Sequence, residues 1–282
     1  MFDYAVINAE LPWFFPLAAC VVGACVGSFL NVVIYRVPAG QSVVTPRSHC
    51  ACGAPIAWHD NIPVLSWFIL RGRARCCGRP YAFRYAFVEL LTALLFLACW
   101  LLFTPGRAVA GMVFISLLIG ATFIDLDHLI IPDGISIGGA IIGVLLSALI
   151  PSLHGHDGGL FIVDSLRALI AATQGLFIGS ALVLWIGLVA ELILKKEAMG
   201  FGDVKFVGMI GAFCGWQGAV VALFGGAIIG TVWLVLALLW QKLAGRPAAA
   251  ALPAETPEGE PTRLGFGAHV PFGPMLAFAG AI

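Results

Sequence analysis

Two short stretches set carboxylates against apolar sequence. Phe123-Ile124-Asp125-Leu126-Asp127-His128-Leu129-Ile130-Ile131-Pro132-Asp133 closes one hydrophobic run, and Gly200-Phe201-Gly202-Asp203-Val204-Lys205 opens another. A charge at membrane depth costs at least a few kcal/mol, so such residues face a protein interior and mark function. If Asp125 and Asp203 meet in space they cannot both ionise cheaply, and the pair shares one proton. That is what metal-free peptide hydrolysis requires. The ionised member takes a proton from the attacking water, while the protonated one polarises the carbonyl oxygen and later protonates the leaving amine. Gly200 and Gly202 would let the backbone approach a substrate strand closely. They are no nucleotide fingerprint, because the third glycine stands at Gly208 and no strand precedes them. The same acids would also suit ion ligation or proton relay in an ion-coupled transporter. Asp133, after Pro132, reads as the cap of a helix beginning near Gly134, and Asp127 as a solvated or supporting group. Lys205 reads as an interfacial anchor or as a partner of Asp203.

The elements that must position these acids are membrane spans. Of 282 residues, 61% are hydrophobic and 11% charged, against about 45–50% and about 25% in ordinary soluble domains. Fifteen basic residues balance fifteen acidic ones, so no cationic surplus points to nucleic acid. Runs near the ~20 residues of a helical span lie at Trp13–Tyr35, Tyr85–Phe103, Val109–Ile124, Ile135–Ile150, Gln174–Leu194, Val204–Gly218 and Ala219–Trp240, with an eighth from Val270 to Ile282. The third and sixth are short and would need tilt or burial. The expected fold is an all-α polytopic membrane protein with about eight transmembrane helices and a Cys-bearing cytoplasmic loop module. Its expected parts are a first span (residues 1–35), the loop module (36–84) and a membrane core (85–282).

The first run is too long for a signal peptide and is preceded by Asp3 and Glu10 rather than a basic segment. With alternating spans, thirteen of the fifteen Lys and Arg fall on one side, only Arg107 and Arg167 lying opposite. The positive-inside rule makes that side cytoplasmic and puts the N-terminus outside. Asp125 and Asp203 then share the cytoplasmic boundary. Of the outer residues, His154, His156 and Asp157 read as a solvated turn or a weak metal site. The segment Gly245–Gly267, rich in Ala, Pro, Glu and Gly, reads as a flexible connection.

The motifs, in order, resemble those of the type IV prepilin peptidases, bacterial membrane aspartyl proteases of the GxGD class. Gly27-Ser28-Phe29-Leu30-Asn31-Val32-Val33-Ile34-Tyr35-Arg36-Val37-Pro38 is similar to the family's first-span signature. Asn61-Ile62-Pro63-Val64-Leu65-Ser66-Trp67 with Arg71-Gly72 is similar to the centre of its cytoplasmic loop, and Arg84-Tyr85 before Glu89 to the start of the second span. The two acidic stretches and Val270-Pro271-Phe272-Gly273-Pro274 complete the series. The resemblance implies an inner-membrane enzyme with Asp125 and Asp203 as catalytic pair. Its implied substrates are type IV prepilins or type II secretion pseudopilins, cut after a basic leader. It also implies methylation of the new N-terminal amine from S-adenosylmethionine, with the cytoplasmic loop involved. Glu89 would orient or deprotonate that amine, or pair with Arg84 or another interfacial cation.

The loop departs from the family's two Cys-x-x-Cys pairs, which suit tetrahedral zinc. Here stand Cys50-Ala51-Cys52 and Cys76-Cys77, with Ala74 where the other thiol is expected. A reducing compartment argues against structural disulfides. Zinc requires the loop to bend both close pairs onto one ion, and adjacent cysteines are awkward chelators. His49 and His59 are the possible substitute ligands. Cys20, Cys25, Cys99 and Cys214 lie in apolar runs and read as small hydrophobes.

Overall fold

The computed structural model describes residues 4–195, 200–243 and 272–281, and its named elements are helical. They are α1 (Tyr4–Glu10), α2 (Phe14–Arg36), α3 (Leu65–Ile69), α4 (Arg84–Leu102), α5 (Pro105–His128), α6 (Asp133–Leu149), α7 (Phe161–Leu194), α8 (Phe201–Leu243) and α9 (Gly273–Gly280). Single 3-10 turns lie at Trp58–Asn61 and Pro151–His154. Five helices, α2, α4, α5, α7 and α8, are long and apolar enough to cross a membrane, and α6 is a shorter apolar helix.

The helices differ from the apolar runs where polar residues keep helical geometry. α5 needs no special tilt. Pro105 starts it, and Asp125, Asp127 and His128 remain inside it, giving 24 residues and about 36 Å of length. α7 likewise begins well before Gln174. Its first turns carry Asp164 and Arg167, so much of the expected outer loop is helix. The described helix in the eighth run, α9, has eight residues, or about 12 Å. The segment Gly245–Gly267 lies outside the described residues.

The sixth and seventh runs form the single element α8, broken at Gly215 rather than after Gly218. Gly215 has φ 72 and ψ 179, which no helix contains. The chain folds back there. A methyl built on Gly280 would lie 3.2 Å from Ile210 Cγ2 and 3.6 Å from Ala222 Cβ. A straight helix would separate those two residues by about 18 Å.

Small residues permit the tight packing of α7 on α8. A methyl on Gly179 would meet the Val207 carbonyl oxygen at 2.9 Å and Ala219 Cβ at 3.0 Å, one contact on each limb of α8. Such stripes let helix backbones approach where no hydrophobic effect drives association. α2 and α4 pair similarly, Gly23 facing Ala93 and Gly27 facing Glu89. Buried Phe114, Ile124, Phe206, Met209, Ile210 and Leu276 fill the centre.

At one end of the bundle, where α5 stops and α6, α8 and α9 start, the acidic stretches converge. At the other end, His154 lies under the α8 bend, its Nε2 2.9 Å from Ser147 Oγ. Burial holds its imidazole below the usual histidine range. His154 is therefore a packed neutral group. Gly179→Val should lower the protein's thermal stability in detergent by at least about 1–3 kcal/mol, because a backbone carbonyl cannot move aside. An unchanged melting temperature would show that the limbs of α8 are not held against α7.

Candidate active site and thiol cluster

Asp125 occupies the last turn of α5 and is 7% exposed. Leu129, in left-handed geometry at φ 54, ends the helix by donating its N–H to the Asp125 carbonyl at 2.9 Å. Pro132, three residues later, immediately precedes α6. Asp203 stands in the first turn of α8, half-buried, its N–H bonded to the Gly200 carbonyl at 3.1 Å. Asp125 and Asp203 stand near enough for their charges to interact. Gly202 packs on Ile131, where a methyl would lie 3.5 Å from Ile131 Cβ. The start of α8 is thus seated on the α5–α6 connection.

Gly273, the first residue of α9, donates its N–H to Asp125 Oδ2 at 3.0 Å. A methyl at Gly273 would stand 2.7 Å from that oxygen, so glycine is required for the approach. The sequence signalled this only as a Gly-Pro at a helix start. Nothing in it said which side chain the glycine would meet.

The flanking charges have other partners than expected. Arg84 forms a fork on Asp127, with nitrogens 2.6 and 2.7 Å from the two carboxylate oxygens, and donates to the Phe123 carbonyl at 3.1 Å. Arg84 is therefore not the partner of Glu89. Lys205 reaches Asp133 at 2.6 Å and lies 5.2 Å from the Phe201 ring centroid. It does not pair with Asp203, because residues i and i+2 of a helix point apart. Asp133 makes no side-chain cap; it is the first residue of α6, behind Pro132. Glu89 instead accepts the Val64 N–H at 2.7 Å.

The four loop cysteines gather. Cys50 Sγ lies 3.6 Å from Cys77 Sγ and Cys52 Sγ 3.4 Å from Cys76 Sγ, and all four sulfurs fall within 4.8 Å of one another. Two tight turns bring them together. In the first, His49 bridges Pro55 and Gly53, at φ 87, donates to the Cys50 carbonyl at 2.8 Å. In the second, Arg73 bridges Pro80 and Gly78, at φ 67, donates to the Ala74 carbonyl at 2.8 Å. Adjacent cysteines are no obstacle here, since the turn splays them toward opposite members of the other pair. Ala74 supplies backbone to the turn where a thiol was expected. Hydrogen bonds, first from the Cys52 backbone, draw the Cys50 thiol down to about 7, while bonding to Cys50 pushes Cys76 up to about 12. His49 and His59 stand apart, His49 bonded to the Arg47 carbonyl and His59 beside Asp60. Among the described residues this is the one group with metal-ligand geometry, which leaves His154, His156 and Asp157 outside any such cluster.

Five helices long and apolar enough to cross a membrane, with two acids brought near each other at one end, are the features of a multi-pass membrane protein. Residues 21–103 match the bacterial peptidase A24 N-terminal domain, and residues 112–235 match the type IV leader peptidase family. A protein of Myxococcus xanthus named prepilin leader peptidase/N-methyltransferase is 41% identical over 245 residues, covering 84% of this chain and 69% of the relative. A protein of that name from Aeromonas hydrophila is 32% identical over 300 residues, covering 96% and 91%. One from Klebsiella pneumoniae is 35% identical over 217 residues, covering 74% and 89%. No solved structure matches the chain. The chain belongs to the type IV leader peptidase family.

Proposed function

We propose that this chain removes the leader of type IV prepilins or type II secretion pseudopilins and methylates the N-terminus so exposed. The observation that supports the peptidase assignment is that Asp125 and Asp203, far apart in sequence, stand at one end of the bundle near enough for their charges to interact, with no cation of the described residues paired to either. The relatives matched carry peptidase and methyltransferase names, which leaves the transporter reading without support.

The environments of the two acids divide their roles. Asp125 accepts a backbone N–H at the start of α9, where the donor and the helix dipole both favour an anion. Asp125 is the base that takes the proton of the attacking water. Asp203, which no described donor reaches, carries the shared proton to the scissile carbonyl oxygen and then to the leaving amine. A substrate whose leader is basic and whose next segment is apolar would lie with its scissile bond at this depth. Gly200, Gly202 and the Asp133–Lys205 pair support the first turn of α8, which presents Asp203.

The same end of the bundle carries Arg36, Arg84, Lys195 and Lys205, so the site is assigned to the cytoplasmic face of the inner membrane, with the N-terminus outside. Counting the two limbs of α8 separately, with α6 and α9, gives eight membrane segments. Residues 36–84 form the loop module and residues 85–282 the peptidase core. A tetrahedral zinc with bonds of about 2.3 Å needs sulfurs about 3.8 Å apart, which the four thiols fit. Cys50, Cys52, Cys76 and Cys77 would hold the ion and close the module around it. S-adenosylmethionine, implied by the relatives' names, would supply the methyl group.

Asp125→Asn and Asp203→Asn should each reduce prepilin cleavage by at least about a thousandfold with normal membrane insertion, scored by mass analysis of the product N-terminus in the presence of labelled methyl donor. Either variant cutting at the normal rate removes that acid from the mechanism. Gly273→Ala should slow cleavage about tenfold or more, since the new methyl displaces the Asp125 carboxylate without altering its charge. Metal analysis of purified protein should find one zinc per chain, lost in Cys52→Ser. A metal-free protein of full activity retires the thiol site.

A further inference from the structure

Among the described residues, three buried or half-buried acids have no cation within 4 Å: Asp125, Asp203 and Glu89. The other two, Asp60 and Asp164, have Arg75 at 2.8 Å and Arg167 at 3.9 Å. The first pair performs the hydrolysis. Glu89 is left unused.

Glu89 lies five residues inside α4, about 7.5 Å along the axis from Arg84, on the side facing α2. Gly27 makes room for it: a methyl there would lie 2.7 Å from Glu89 Cα. The carboxylate accepts the Val64 N–H at 2.7 Å, and Ser28 and Asn31 also hydrogen-bond it. Asn31 is fixed in turn by donating to the Tyr85 carbonyl at 3.0 Å. Val64 holds φ 63 and ψ −53, a conformation that costs a β-branched residue on the order of 1–3 kcal/mol. The loop is thus strained to bring a neutral donor to this acid. Three neutral groups orient the carboxylate and none cancels its charge. An uncompensated charge at this depth is costly, and none of the described residues supplies the cation, which leaves the site open to one from a substrate.

We infer that Glu89 receives the α-ammonium of the cleaved substrate and is the base for its methylation. This rests on the methyltransferase activity proposed above. The new N-terminus heads an apolar segment, so its ammonium arrives at the membrane boundary on the side where Glu89 stands. A primary ammonium offers N–H donors to a carboxylate, and it must lose a proton before it can react. Glu89 takes that proton. The amine lone pair forms a bond to the sulfonium methyl carbon, the carbon–sulfur bond breaks with its electrons left on sulfur, and the donor departs as a thioether. The product is a secondary ammonium, and Glu89 returns its proton to water.

The test uses purified full-length protein in nanodiscs and an apolar peptide with either a free or an acetylated N-terminus; peptide binding is measured without methyl donor, and S-adenosylmethionine binding and methyl transfer are measured separately with the donor added. The wild type should bind the free form about tenfold tighter or more, and this preference should fade as pH rises through the amine's pKa of about 8. Glu89→Gln keeps an oxygen for the Val64 N–H and should bind both peptides alike, while Glu89→Asp should keep part of the preference. A wild type without preference, or a Glu89→Gln variant that retains it, overturns the inference. So does a Glu89→Gln variant that keeps the preference but loses affinity for S-adenosylmethionine, which would assign the sulfonium to Glu89. A wild type that prefers the free peptide but transfers no methyl group leaves Glu89 an ammonium site and refutes the methyltransferase activity instead.

Discussion

Two carboxylates can share a proton only while no cation stands between them. The whole end of the bundle is arranged around that exclusion. Arg84 is held by Asp127 and the Phe123 carbonyl, and Lys205 by Asp133. Lys205 stands two residues from Asp203 and Arg84 reaches the carbonyl two residues before Asp125, yet each is turned onto another acid. Were Lys205 to reach Asp203, an ion pair would replace the shared proton and the site would lose its acid. Helical geometry prevents this by pointing residues 203 and 205 apart. Asp127 and Asp133, which follow Asp125 in its motif, each hold one of these cations.

The apolar runs foretold the helices, because a bilayer demands long hydrophobic stretches and little else. They foretold the ends less well. α5 carries Asp125, Asp127 and His128 within its last turn, and α7 carries Asp164 and Arg167 near its start; hydrophobicity cannot see a helix that continues into polar sequence. The break in α8 was misplaced because hydrophobic residues flank Gly215 on both sides, and only its φ of 72 marks it among many glycines. The two acidic stretches were legible because charge beside hydrocarbon is conspicuous. Gly273 was not, since a backbone N–H leaves no trace in composition.

The thiol cluster shows the same division. Spacing along the chain argued against joint ligation by Cys76 and Cys77, yet ligation depends on where sulfurs lie in space. Gly53 and Gly78 each follow a cysteine pair and adopt positive φ, which folds both pairs into facing turns. The module they build returns to the membrane through Val64, whose N–H meets Glu89. α4 therefore touches both the loop that carries the thiols, through Glu89, and the α5 end that carries Asp125, through Arg84.

The bend at Gly215 also bears on biogenesis. The limb from Phe201 to Cys214 has fourteen residues, about 21 Å of helix, too little to cross a hydrocarbon core of about 30 Å unaided. The translocon is expected to release this limb into lipid together with its returning partner, as one helical hairpin.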